Sequence, residues 1–177
     1  AGMSRAADSA VALARKALLI SYGIALAGSL VGVAAIHQGI ASPAETVLIT
    51  SCVVICSGAI LIILGRILCT LQTLAIGSTI YFTVYLSAGC ITSLLRHDQV
   101  PPHFFVYFAW FFPLVVFNKL LNTPGVARAI SWILGIVPLL LLAGLVGRLG
   151  PTPDQVWVLT LVANGLTFSL FVLAFQV

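Results

Sequence analysis

Charge is what this sequence has least of. Among its 177 residues, eight are Lys or Arg and four are Asp or Glu, 7% together, against 61% hydrophobic residues. The mean hydropathy is +1.19. A soluble domain carries ~25% charged residues, and so few charges cannot cover the surface of a water-soluble protein of this length. Lipid is therefore the solvent for most of the chain. Six spans of ~20 residues take up most of the length and leave short loops, with no room for a folded soluble domain.

Other absences narrow the reading. No Asp, Glu, Lys or Arg stands in the middle of an apolar run. Intramembrane ionisable groups mark proton relays and ion paths, so a proton-coupled pump and an enzyme working through membrane-buried carboxylates are both disfavoured. The HExxH, GxSxG and CxxC patterns are missing, as are a phosphate-binding loop and the His pairs that would hold stacked haems. The net charge of +4 comes from cations scattered singly or in pairs, which speaks for membrane topology and for no nucleic-acid partner. No secretory leader is visible: AGMSRAADSAVALAR is small and polar, and the apolar run after it outlasts an h-region. The four cysteines, Cys52, Cys56, Cys69 and Cys90, lie in or at the end of apolar runs. They read as buried, reduced, hydrophobic side chains. Cys52 and Cys56 share a helix face and could hold a soft metal, but no His or Met joins them on that segment.

What is present is a succession of long apolar runs. Hydropathy predicts spans over residues 17–36, 46–64, 68–95, 103–121, 126–146 and 155–175, preceded by a polar segment over 1–14. Backbone groups in lipid must pair within their own segment, so the spans are helices. The period-two alternation of a barrel is absent. The expected fold is an all-α membrane protein, a single-domain bundle of six transmembrane helices. Turn residues separate the spans at 39–43, 101–102, 122–125 and 150–153, while Gly65 and Arg66 alone punctuate the join between the second and third. Ser42-Pro43 and Thr152-Pro153 set an N-cap beside a first-turn proline, with Glu45 and Asp154 following. An even span number puts both termini on one side. With them in the cytoplasm, Arg5, Arg15, Lys16, Arg66, Lys119 and Arg128 are inside and only Arg96 and Arg148 outside, as the positive-inside rule requires.

This topology gathers His37, His97 and His103 with Glu45 and Asp98 at the outer interface. Imidazole titrates near neutrality and binds Zn or Cu, so these three histidines are the candidate metal ligands; the alternative is ordinary solvated interfacial residues. The fourth span is dense in aromatics. Phe104, Phe108 and Phe111 fall on one face, with Tyr107 and Trp110 on a neighbouring one. They form either a wall for a hydrophobic ligand or a belt and packed core. Pro113 and Pro138 are expected to kink their helices. Neutral polar groups recur in the third span, at Ser78, Thr79, Tyr81, Thr83 and Tyr85, and Asn164 of the sixth is expected to face the bundle. Gly28 and Gly32 permit close helix approach, either within the bundle or at a dimer seam.

The stretch HFFVYFAWFFPLVVFNKLLNTPGVARAISW resembles the multi-helix membrane input regions of bacterial sensor histidine kinases and diguanylate cyclases. The likeness rests on Trp110-Phe111-Phe112-Pro113 with Asn118, Asn122 and Arg128, and extends over the third to sixth spans. It implies a sensor domain in the bacterial inner membrane that performs no chemistry of its own and belongs to a two-component or cyclic-nucleotide signalling protein. It also implies a homodimer, and a last helix that carries the signal to a cytoplasmic output module following Val177. The candidate ligand site combines His97, His103, Tyr107 and Trp110 with Tyr81, Tyr85 and Asn164. Its partners would be membrane lipid and a small hydrophobic ligand or metal ion; the cofactor, if any, is unknown. The alternatives are a small transporter or channel for a neutral solute, and a membrane haem or metal redox protein. Absorbance spectroscopy of the purified chain separates the last of these: a haem protein shows a visible band, and the sensor and transporter readings expect none.

Overall fold

The computed structural model describes residues 2–39, 41–65, 71–95, 102–149, 163–168, 170 and 172. The described residues are helical apart from turns. In chain order they form α1 (Gly2–His37), α2 (Pro43–Gly65), α3 (Leu71–Leu95), α4 (Pro102–Ala109), α5 (Phe111–Leu121) and α6 (Pro124–Leu149). Residues 163–168 are also helical. Among the described residues, five stretches are long and apolar enough to cross a membrane: Val11–His37, Pro43–Gly65, Leu71–Leu95, Phe104–Leu121 and Pro124–Arg148. Many large apolar side chains on them point outward, among them Leu13, Val31, Val47, Leu61, Leu120 and Leu140. In water such a surface would aggregate; in lipid it is the expected exterior. This is the architecture of a multi-pass membrane protein. Most of the sixth expected span, 155–175, lies outside the described residues, as do Asp154 and the Thr152-Pro153 cap.

The polar segment expected over 1–14 is not separate from the first span. α1 runs unbroken from Gly2, because residues 3–22 hold no Gly or Pro and are rich in alanine, the best helix former.

Contacts divide the chain into two compact units, Ala1–Ser78 and Thr79–Val177. In the first, α1 turns back into α2 through a short loop whose chemistry is local. Gly39 takes φ +69°, the left-handed conformation that ends a helix. Ser42 then caps α2: its Oγ donates to Glu45 Oε2 at 2.8 Å, its N–H donates to the same oxygen at 2.8 Å, and Glu45 N–H donates to Ser42 Oγ at 3.3 Å. This is a capping box, with Pro43 in the first turn where its missing N–H costs nothing. It explains why Glu45 is only 5% exposed, when a solvated interfacial position was expected. α2 buries Glu45, Ile49, Cys52, Cys56, Ala59 and Ile63, alternating four and three residues apart, which is the heptad spacing of closely packed helices. α1 buries Leu18, Tyr22 and Ser29 on the same rhythm. Gly32 continues it and lies against Ile49 of α2, where a Cβ would meet the Ile49 side chain at 3.0 Å. Gly32 is therefore an internal contact, whereas Gly28 faces open space. Tyr22 Oη and Ser78 Oγ hydrogen-bond, tying α1 to the first turns of α3. Cys52 and Cys56 are buried thiols outside any disulfide, with sulfurs 3.7 Å apart.

In the second unit, α3 from Thr79 onward buries Thr79, Thr83, Leu86, Cys90 and Ser93, again alternating four and three apart. The fourth span is two helices rather than one kinked helix. α4 ends at Ala109, Trp110 turns (φ −73°, ψ −12°), and α5 begins at Phe111. Pro113 dictates the position: it has no N–H for the Ala109 carbonyl, and its ring would collide with that carbonyl in a continuous helix. The chain tightens instead, with Trp110 N–H on Tyr107 O at 3.2 Å and Leu114 N–H on Trp110 O at 3.3 Å. α6, by contrast, runs through the buried Pro138 without interruption. Gly165 of the 163–168 segment seats against Phe108 of α4 and Leu142 of α6, with a Cβ there falling 2.9 Å and 2.8 Å from them. Phe112 of α5 lies against Phe168 with the rings tilted and their centroids 3.7 Å apart.

Replacing Ser42 with Ala removes two bonds of the capping box and leaves the Glu45 carboxylate buried with fewer donors. The expected loss is about 1 kcal/mol of unfolding free energy, measured by steric trapping or denaturant titration in lipid. A Ser21→Ala control should be close to neutral, because that hydroxyl bonds to Ala17 O of its own helix.

Candidate functional site

The aromatic face of the fourth span is interior. Phe104, Phe108 and Phe111 are buried, with Phe104 stacked on Phe108 at 5.7 Å and Phe108 tilted against Phe111 at 6.0 Å. Cys90 of α3 reaches the same region, its Sγ 3.7 Å from Phe104 O. This is a packed core, and the ligand-wall alternative does not describe these three rings.

Of the residues expected to line a ligand site, three tyrosines do come together. Tyr81 and Tyr85 are neighbours on α3 with centroids 6.0 Å apart, and Tyr85 meets Tyr107 of α4 edge-on at 5.9 Å. Tyr107 lies flat against Gly89 so closely that any Cβ at residue 89 would collide with the ring. Trp110 does not join them. It is 46% exposed, because it lies two positions after Phe108, on the side of the helix away from the Phe104–Phe108–Phe111 face. Asn164 is exposed rather than inward-facing, since Gly165, not its neighbour, fills the inner position. His97 lies outside the described residues, and His103 is described as backbone in the first turn of α4 only. His37 is exposed at the end of α1. Among the described residues, no three His, Cys, Asp or Glu side chains gather as metal ligands would.

The best-organised polar site lies elsewhere in the second unit, at the turn from α5 to α6. Asn118 and Asn122 are one helical turn apart and share a face of α5. Asn118 is 0% exposed and Asn122 8%. Asn118 Nδ2 donates to Ala127 O at 2.8 Å and to Ser131 Oγ at 2.9 Å, crossing to α6. Asn122 Nδ2 donates to Asn118 Oδ1 at 2.9 Å and reaches Thr79 Oγ1 of α3 at 3.4 Å. Ser131 and Thr79 are themselves buried. The connection between the helices is Asn122 and Thr123 alone. Ala127 N–H bonds to Thr123 O at 2.8 Å, which makes Thr123 the cap of α6 and Pro124 its first residue. Two residues of turn force α5 and α6 to run antiparallel, and the amide pair locks them together.

Asn118 and Asn122 stood out in the sequence only as part of an expected likeness to sensor input regions, and Thr79 is one of the polar residues noted in the third span. Ser131 was missed: a lone serine in an apolar run carries no signal until its partner across the turn is known. The i, i+4 spacing of the asparagines was the available clue. No family model, no curated protein and no solved structure matches the chain. The site is therefore read from its own geometry.

Asn118→Ala removes three buried hydrogen bonds and strands the Asn122 amide and the Ser131 hydroxyl. Such vacancies cost about 1–3 kcal/mol, against a change near zero for exposed Asn164→Ala. Parallel unfolding titrations of the two variants in the same lipid check the contrast.

Proposed function

We propose that this chain is the membrane-embedded input domain of a bacterial signal-transduction protein of the histidine kinase or diguanylate cyclase type. It responds to a small ligand or to the state of the bilayer and passes the response through its last helix. The observation that carries this reading is the buried Thr79–Asn118–Asn122–Ser131 network, built on the asparagines by which the chain resembles such regions. It joins α3, α5 and α6 through neutral hydrogen bonds. Interhelical bonds of this kind contribute only ~0.6 kcal/mol each on average, so they can exchange partners at small cost. A helix packing held this way can take two arrangements of similar energy, which is what a signal-driven population shift needs. Both termini lie in the cytoplasm of the inner membrane and the protein works as a homodimer, since output enzymes of this type act in pairs.

Fusing the chain through Val177 to the catalytic core of a histidine kinase tests the proposal. Asn118→Leu and Asn122→Leu should then shift autophosphorylation in membranes by up to about tenfold, the effect of ~1.4 kcal/mol on a two-state equilibrium. Kinase output identical to wild type in both variants, with the fusion correctly inserted, sinks the sensor reading. Cysteines placed near residues 5 and 177 should label only from the cytoplasmic side.

A further inference from the structure

We propose that the Asn122 carbonyl at the α5–α6 turn is a binding point for a neutral hydroxyl donor that none of the described residues provides. The orientation of the amide follows from its partners. Ala127 O can only accept, so the Asn118 atom facing it at 2.8 Å is Nδ2. Asn118 Oδ1 therefore points at Asn122, which must answer with its own Nδ2 at 2.9 Å. Asn122 Oδ1 is left over, buried and without a hydrogen-bond partner. Turning the amide over would set two carbonyl oxygens against each other and forfeit that bond.

The sequence also removes the usual local remedy. An Asn side-chain oxygen in a turn ordinarily accepts from the backbone N–H two residues on, and here that residue is Pro124, which has none. A buried acceptor left open costs about 1–3 kcal/mol, and in hydrocarbon no bulk water offsets it. The surrounding groups, Thr79, Asn118 and Ser131, are neutral, and each already takes part in the network, Ser131 with Asn118 and both Thr79 and Asn118 with the Asn122 amide nitrogen. A cation would find no countercharge. A single O–H group meets the requirement, supplied either by a water molecule or by the hydroxyl of an organic amphiphile. The site stands independently of signalling; if the bundle does signal, this hydroxyl is a natural stimulus, because its arrival completes the network.

Infrared spectroscopy reads the bond directly, since a hydrogen-bonded amide carbonyl absorbs at lower frequency than a free one. The full chain is prepared in lipid nanodiscs with asparagine labelled with heavy carbon at the side-chain carbonyl. The Asn122 band is assigned by difference from Asn122→Leu, and from Asn122→Gln, which keeps the amide but loses the label if the leucine variant fails to assemble. The expected result is a band that moves between free and bonded positions with an external donor. Loss of the bonded band on drying the film identifies water. A shift to the bonded position with n-decanol, but not with decyl methyl ether, which has no donor, identifies an organic hydroxyl. A band that stays free under every condition, or stays bonded regardless of hydration and probe, overturns the proposal.

Discussion

In hydrocarbon a polar group has no solvent to fall back on, and the described structure follows from that constraint. Backbone amides meet it by forming helices. Hydroxyls meet it by bonding to the carbonyl four residues earlier: Ser21 on Ala17, Ser29 on Ala25, Thr83 on Thr79 and Ser93 on Gly89 all do so. Helix ends are harder, because their terminal groups have no partner in the helix. The chain places its most specific chemistry there, in the Ser42–Glu45 capping box and in the Asn118–Asn122 pair beside the α5–α6 turn. Where a proline removes a donor in the fourth span, the helix stops and restarts. The apolar side chains, which carry no such obligation, are free to face outward.

Much of the fold was legible in the sequence because these demands are local. The apolar runs located the helices, and Ser42-Pro43 with Glu45 marked the start of α2. The spacing of Phe104, Phe108 and Phe111 put the three on one face, and the structure shows that face to be buried. What the sequence concealed was directional or long-range. Trp110 shares an aromatic segment with the buried phenylalanines, yet its position on the helix places it off their face and it is exposed. Asn164 looked inward because an amide in lipid should be covered, but Gly165 permits the close contact with Phe108 and Leu142, and the amide is left on the outside.

The candidate site was legible only in fragments. Tyr81, Tyr85 and Tyr107 were anticipated and do meet, Tyr81 tilted against Tyr85 and Tyr85 edge-on to Tyr107, beside a glycine that leaves room for Tyr107. Asn118 and Asn122 stood out as residues of a resemblance rather than as a site. Their importance lies in pairings across 13 residues to Ser131 and 43 residues to Thr79, separations at which an apolar sequence carries no periodic signal. Neutral side chains are also quieter than charged ones, since a serine suits a membrane helix whether or not it has a partner on another helix.

The uninterrupted course of α1 has a mechanical consequence. Its 36 residues make a rod of about 54 Å at 1.5 Å per residue, while the hydrocarbon layer is only about 30 Å thick. Even when steeply tilted, such a rod stands clear of the lipid by several turns. Its protruding end is stiff, so a small change of tilt within the bilayer becomes a larger sideways sweep at Gly2. The first helix is thus a lever whose fulcrum is its contact with α2.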